Sequence, residues 1–185
     1  MARNARDYSA EHTLKDGVPV TISAVTPADR PRILEAFRLL GNASIYTRYF
    51  NLRGELSEAE LDRAMNVDFV RNVTLVVSTE TSAGETIIAT GRYVASDMPD
   101  ADAAAEVTFV VAEDYQGRGI ASRLLASLVD IARGQGLARF HADVLARNHP
   151  MLAVFKRCGL PLRQEREGGV VHVTLDLAAD EGGSP

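Results

Sequence analysis

Several things are missing from this sequence, and each absence removes a class of function. No apolar run is long enough to span a bilayer or to form the core of a secretory signal. There is one cysteine, Cys158, so an internal disulfide framework is excluded and a reducing cytoplasm is the expected setting. No lysine- or arginine-rich run interrupts a net charge of −5, which argues against nucleic acid as a partner and mildly favours cationic ones. The four histidines, His12, His141, His149 and His172, show no metal-ligand spacing, so no metal is expected. What is left is an ordinary globule of 185 residues, 46% hydrophobic and 24% charged. It reads as a single domain over residues 1–185, with flexible ends at about 1–10 and 178–185.

The stretch Asp114-Tyr115-Gln116-Gly117-Arg118-Gly119-Ile120-Ala121 stands between two unlike patterns. Before it, Glu106 to Val111 is β-branched and aromatic and predicts a strand. After it, Ile120, Leu124, Leu125, Leu128 and Ile131 recur at helical spacing. The glycines therefore fall at a strand-to-helix turn, where free first-turn amides and the positive end of the helix dipole favour an anion. A phosphate-binding P-loop would need a lysine after the glycines, and none follows. A dinucleotide fingerprint fits Gly117, Gly119 and Ser122 only loosely, and the strands before it do not alternate with helices. The plain alternative is a glycine turn that only bends the chain.

The chain reads in order as follows. Val18 to Val25 is a first strand, introduced by a hairpin-like turn at Lys15-Asp16-Gly17. Thr26-Pro27 opens a helix that runs to Leu40 and ends at Gly41-Asn42. Two further helical pieces cover Ser44 to Phe50 and Ser57 to about Met65, the second opened by a capping box. Within the first piece, Tyr46, Arg48 and Tyr49 either pack the core or help wall an acceptor pocket. Val73 to Ser78, Thr86 to Val94 and the strand ending at Val111 form an antiparallel meander. The long helix stops at Gly134-Gln135-Gly136, and Phe140 to Leu145 is another strand. Asn148 caps a short helix with Pro150 in its first turn, and Leu162 to Arg166 pairs with Val170 to Leu177 as a closing hairpin. Cys158, at the end of that short helix, reads as a packed small hydrophobe.

Gln116, Gly119 and Ala121 match the pattern Gln/Arg-x-x-Gly-x-Gly/Ala, which resembles the pyrophosphate motif of the GNAT superfamily of acyl-CoA-dependent N-acetyltransferases. The order of elements resembles the GNAT fold over nearly the whole chain, which implies an α/β (α+β) architecture. That fold has a central, mixed, mostly antiparallel sheet of about seven strands flanked by about four helices. Asn148 matches the asparagine of the family's N-x-x-A-x-x-x-Y segment. Ser44-x-x-x-Arg48-Tyr49-Phe50 and Asn148 to Ala153 are similar to the catalytic domain of Pat-type bacterial protein-lysine acetyltransferases. Those enzymes usually carry a regulatory domain as well, for which 185 residues leave no room.

The resemblance implies acetyl-CoA as cosubstrate and an amine as acceptor, either a protein lysine or a small molecule. The amides of Gly117, Arg118, Gly119, Ile120 and Ala121 would hold the pyrophosphate, with the Arg118 side chain adding charge or lying solvated. Phe109, Val110 and Val111 would offer backbone groups to pantetheine, which requires a gap between their strand and the one around Val144. Asn148 would reach the same arm from the far side. Glu106 stands where the family holds its glutamate base. On a strand bound for the core, its carboxylate is costly without work or a partner, unless the strand start is wet. A lysine acceptor needs such a base, because neutralising it at pH 7 costs roughly 4.6 kcal/mol. Phe155 occupies the place of the tyrosine that commonly protonates the leaving thiolate, and Met151 that of the alanine. A catalytically silent acyl-CoA-binding or sensor domain is the alternative that Phe155 suggests.

Overall fold

A computed structural model of the chain describes residues 5–38, 58–96 and 103–178. The aromatic segment with Tyr46, Arg48 and Tyr49, the loop 97–102 and the tail beyond 178 lie outside the described residues.

Eight strands form one sheet: β1 (Ser9–Thr13), β2 (Pro19–Ala24), β3 (Asn72–Thr81), β4 (Gly84–Ala95), β5 (Ala104–Val111), β6 (Arg139–Leu145), β7 (Leu162–Glu167) and β8 (Val170–Asp176). Their spatial order is β1-β2-β3-β4-β5-β6-β8-β7. Four α-helices are described: α1 (Arg30–Arg38), α2 (Glu58–Met65), α3 (Ile120–Gly134) and α4 (His149–Lys156). The expected meander is β3-β4-β5, and the expected closing hairpin is β7-β8, turning at Gly168 and Gly169 between the paired Glu167 and Val170. The strand beyond the expected seven is β1, which pairs along its whole length with β2, from Ser9↔Ser23 to Thr13↔Pro19.

That extra edge strand is preceded by residues that pack against the rest of the fold. Ala5 is fully buried, the Arg6 guanidinium lies 5.1 Å from the Phe69 ring centre, and the Tyr8 hydroxyl donates to Ser127 of α3 at 2.8 Å. A polar segment can dock when its few apolar groups find the core and its backbone finds a sheet edge.

Alternation along the strands splits the core between the two sheet faces. On one face, Leu124, Leu125, Leu128 and Ile131 of α3 pack with Tyr93, Val107, Phe109, Phe140 and Phe155. On the other, Ile33 of α1 and Leu61 of α2 pack with Val25, Val76, Ile87 and Val110. Gly91 of β4 permits α3 to lie close: a Cβ there would stand 3.2 Å from both Leu124 and Phe109 and 3.3 Å from Leu128.

All strand pairs are antiparallel except β5 with β6. That parallel pairing covers Ala104↔Arg139, Ala105↔Phe140 and Glu106↔His141 and then stops. Beyond it, Val107 to Val111 remain paired with β4, and Ala142 to Leu145 with β8. The sheet is thus held on both sides while its middle opens into a wedge.

Candidate active site

The wedge continues into a cleft of about 610 Å³, within the range of small-molecule sites. Its walls are the open edge of β5, the turn and first residues of α3, the end of β6, and α4. Of the ten residues expected to hold the cofactor, nine line it: Phe109, Val110, Val111, Gln116, Gly117, Gly119, Ile120, Ala121 and Asn148. The gap expected beside Val144 is this wedge, and Val144 is itself on the cleft wall.

Each side of the cleft has a local cause. Gly117 (φ +74°) and Gly119 (φ +90°) take left-handed conformations that favour glycine, so the chain can turn sharply from β5 into α3. Gly119 is the N-cap of α3 and has no side chain to bond the first-turn amides. Those amides, with the helix dipole behind them, make the cleft floor attractive to an anion. Across the cleft, the Asn148 side-chain oxygen accepts from the Met151 amide at 3.3 Å and starts α4. The Gln116 side-chain amide donates to the Val111 carbonyl at 3.1 Å, tying the turn to the end of β5.

Arg118 stands apart from the other nine. Its guanidinium bonds Asp16 and the Asp114 carbonyl, each at 2.6 Å, and lies 4.9 Å from the Tyr115 ring centre. It is not among the cleft-lining residues.

Residues 43–160 match the acetyltransferase (GNAT) family. The chain belongs to that family. It is 33% identical over 153 residues to an acetyltransferase named Pat from Mycolicibacterium smegmatis, covering 83% of this chain and 44% of that protein. An acetyltransferase of Pseudomonas aeruginosa is 29% identical over 142 residues, which is 75% of this chain and 73% of the relative. Among solved structures, the GNAT domain of S. lividans PAT superposes with a TM-score of 0.80 at 34% identity, covering 91% of this chain and 96% of that one. The architecture described above is accordingly the GNAT fold. The chain spans less than half the length of the Mycolicibacterium protein.

Glu106 sits on the last paired rung of β5 and β6, at the apex of the wedge. It projects to the sheet face opposite α3, with Thr108 and Val110, as alternation requires. The side chain is exposed, so the burial cost expected of a carboxylate on a core-bound strand does not apply. The apex position remains, reached from the α1 and α2 side.

The same face carries a polar group that the sequence reading did not connect. His141 is paired across from Glu106, and its Nδ1 lies 3.1 Å from the Thr174 hydroxyl. Next along β6 is Asp143, whose carboxylate is 2.6 Å from His172 Nδ1, with Glu167 3.5 Å from Nε2. The hydrogen bond to Asp143, opposed by desolvation and aided by the charge of both acids, holds His172 above the usual imidazole value. The polar alternation of β6 was a local signal for this group, but the pairing of β6 with β8 that assembles it was not.

Phe155 is buried, lines the cleft and packs 6.2 Å from Phe109, centre to centre. Cys158 is free and half-buried at the end of α4. Among the described residues, no group of three or more His, Cys, Asp or Glu side chains could hold a metal, and no helix is long and apolar enough to cross a membrane.

Proposed function

We propose that this chain is an N-acetyltransferase of the cytoplasm, moving an acetyl group from acetyl-CoA to a primary amine, with a protein lysine as acceptor. The observation that carries the reading is the wedge between β5 and β6, opening directly onto the bare N-terminus of α3. A strand edge without a partner can bond an amide-bearing chain such as pantetheine, and a helix N-terminus can hold its pyrophosphate. The similarity to the GNAT domain of S. lividans PAT supports the same reading.

In this reading, Phe109 to Val111 bind the pantetheine arm, Gly117 to Ala121 bind the pyrophosphate, and Asn148 closes the far side. The thioester then lies at the apex, beside Glu106. Glu106, directly or through one water, takes a proton from the ammonium group, and the freed lone pair attacks the thioester carbonyl. A C–N bond forms, the nitrogen sheds its second proton to water, the C–S bond breaks, and coenzyme A leaves as a thiolate. Phe155 has no proton to give it, but a thiol of reference pKa near ~8.5 leaves readily and is protonated by solvent. The acids on the Glu106 face suit a cationic acceptor.

Calorimetry with acetyl-CoA tests the binding, and acetyl-CoA turnover against a lysate, read by mass spectrometry, tests the acceptor. Acetylated lysines support the proposal, whereas an acetylated metabolite would replace the protein acceptor by a small amine. No heat at near-millimolar acetyl-CoA would reject the whole reading. One observation favours a second reading. Phe155 fills the place of the usual proton donor with a ring packed on the cleft wall, as an acyl-CoA-binding domain without turnover could tolerate. Binding with no thiol release on any amine, polyamine or lysine peptide would select it.

A further inference from the structure

The cleft floor attracts an anion, yet the arginine of the turn is already occupied. Both charged faces of Arg118 are satisfied, by Asp16 and by the Asp114 carbonyl, and its flat face rests on Tyr115. Among the described residues, the basic side chains on the cleft wall are Lys15 and Arg157, and Arg157 belongs to the C-terminal cap of α4. Lys15 comes from the opposite end of the chain, in the turn between β1 and β2, and its Cε stands 3.8 Å from where a Cβ on Gly119 would be.

The turn is held in place by its own bonds. Leu14 is buried, its amide donates to the Val18 carbonyl at 2.8 Å, and the Gly17 amide donates to the Leu14 carbonyl at 2.9 Å. Two bridges then fix the turn to α3. Asp16 binds Arg118, and Arg123 of the first helical turn binds the Thr13 carbonyl at 3.1 Å while lying 3.1 Å from His12 Nδ1. Asp16 and Lys15 thus divide the work: the acid goes to the arginine, and the ammonium stem crosses Gly119 toward the cleft. A cation beside the positive end of a helix is mildly unfavourable by itself. An anion between the two reverses the sign, so the arrangement is most favourable when the site is filled.

We propose that Lys15 contacts the pyrophosphate of the bound acyl-CoA over Gly119, and that the Asp16–Arg118 pair is the latch that positions it. The assignment rests on the acyl-CoA reading above. A Cβ at Gly119 would meet the lysine stem only in ordinary van der Waals contact, so glycine is favoured there by its left-handed φ of +90° and not by the lysine.

The test is calorimetry on the full chain with coenzyme A, dephospho-coenzyme A (which keeps the pyrophosphate but lacks the 3′-phosphate) and pantetheine. Lys15→Met retains the stem, and its exposed position predicts an unchanged fold by circular dichroism. Affinity for coenzyme A and for its dephospho form should fall alike, by roughly five- to tenfold at low salt, with pantetheine unaffected. The loss should shrink as salt rises, and Lys15→Arg should restore most of it. Unchanged coenzyme A affinity, or a loss confined to the ligand with the 3′-phosphate, would overturn the assignment. An equal loss for pantetheine would also overturn it, in favour of a structural role for the turn. Wild-type protein that bound none of the three would instead reject the acyl-CoA reading itself.

Discussion

Glu106→Gln isolates the general-base step, because it keeps the shape and hydrogen-bonding reach of the side chain and removes its charge. The residue is exposed and lies on the last rung before the strands part, so the change costs little stability, within about 0.5 kcal/mol. The amine supplies the scale. At pH 7 a lysine with reference pKa near ~10.4 is neutral in roughly one molecule in 2,500, a deficit of about 4.6 kcal/mol. Positioned bases recover ~10²–10⁴-fold of such a barrier. Because Glu106 is open to water, which competes as proton acceptor, the lower end applies and kcat/KM should fall about a hundredfold. Acetyl-CoA affinity should be unchanged, since Glu106 faces away from the α3 side of the sheet. Raising the pH from 7 to 9 should narrow the gap between mutant and wild type, as more acceptor arrives neutral. Thiol release from acetyl-CoA with a lysine peptide measures the rate, and calorimetry measures the affinity. Wild-type turnover in the mutant at pH 7 would refute the assignment, and a parallel loss of cofactor affinity would make Glu106 a structural residue.

Gly119→Asp should abolish coenzyme A binding with an intact circular dichroism spectrum. It places an anion where an anion must bind, on a residue at φ +90°, and measurable binding by calorimetry would contradict the site. Gly91→Ala pushes a methyl to 3.2 Å from Leu124 and Phe109 and should destabilise the fold by about 1–3 kcal/mol in a denaturant melt. His172 should titrate above ~6.5 by NMR, and Asp143→Asn should lower its pKa. Its raised pKa means that its contribution to stability is present below about pH 6.5 and is lost as pH rises through the folded value.

Much of this molecule is written in short-range pattern. The alternation of Val107, Phe109 and Val111 against Thr108 and Val110 specifies both faces of β5, because successive strand side chains must point oppositely. Leu124, Leu125, Leu128 and Ile131 specify α3 by their spacing, and the glycines before them mark the sharp turn at which it starts. Asn148 caps α4 using an amide three residues on, a bond wholly contained in the local sequence. For the same reason nine of the ten residues expected at the cofactor site could be named from the sequence and do line the cleft.

Other features depend on partners that no local pattern specifies. The wedge exists because β5 is held by β4 and β6 by β8, so the parallel rungs end at Glu106 and His141. Local spacing says nothing of that register. Glu106 is exposed rather than buried because of what does and does not cover its face, which only packing decides. Arg118 turns to an aspartate 102 positions earlier in the chain, and the same turn brings Lys15 over Gly119. Short-range preferences choose the elements because each is satisfied within a few residues; the charges that meet beside Gly119 come from chain segments joined only when the sheet and α3 close on one another.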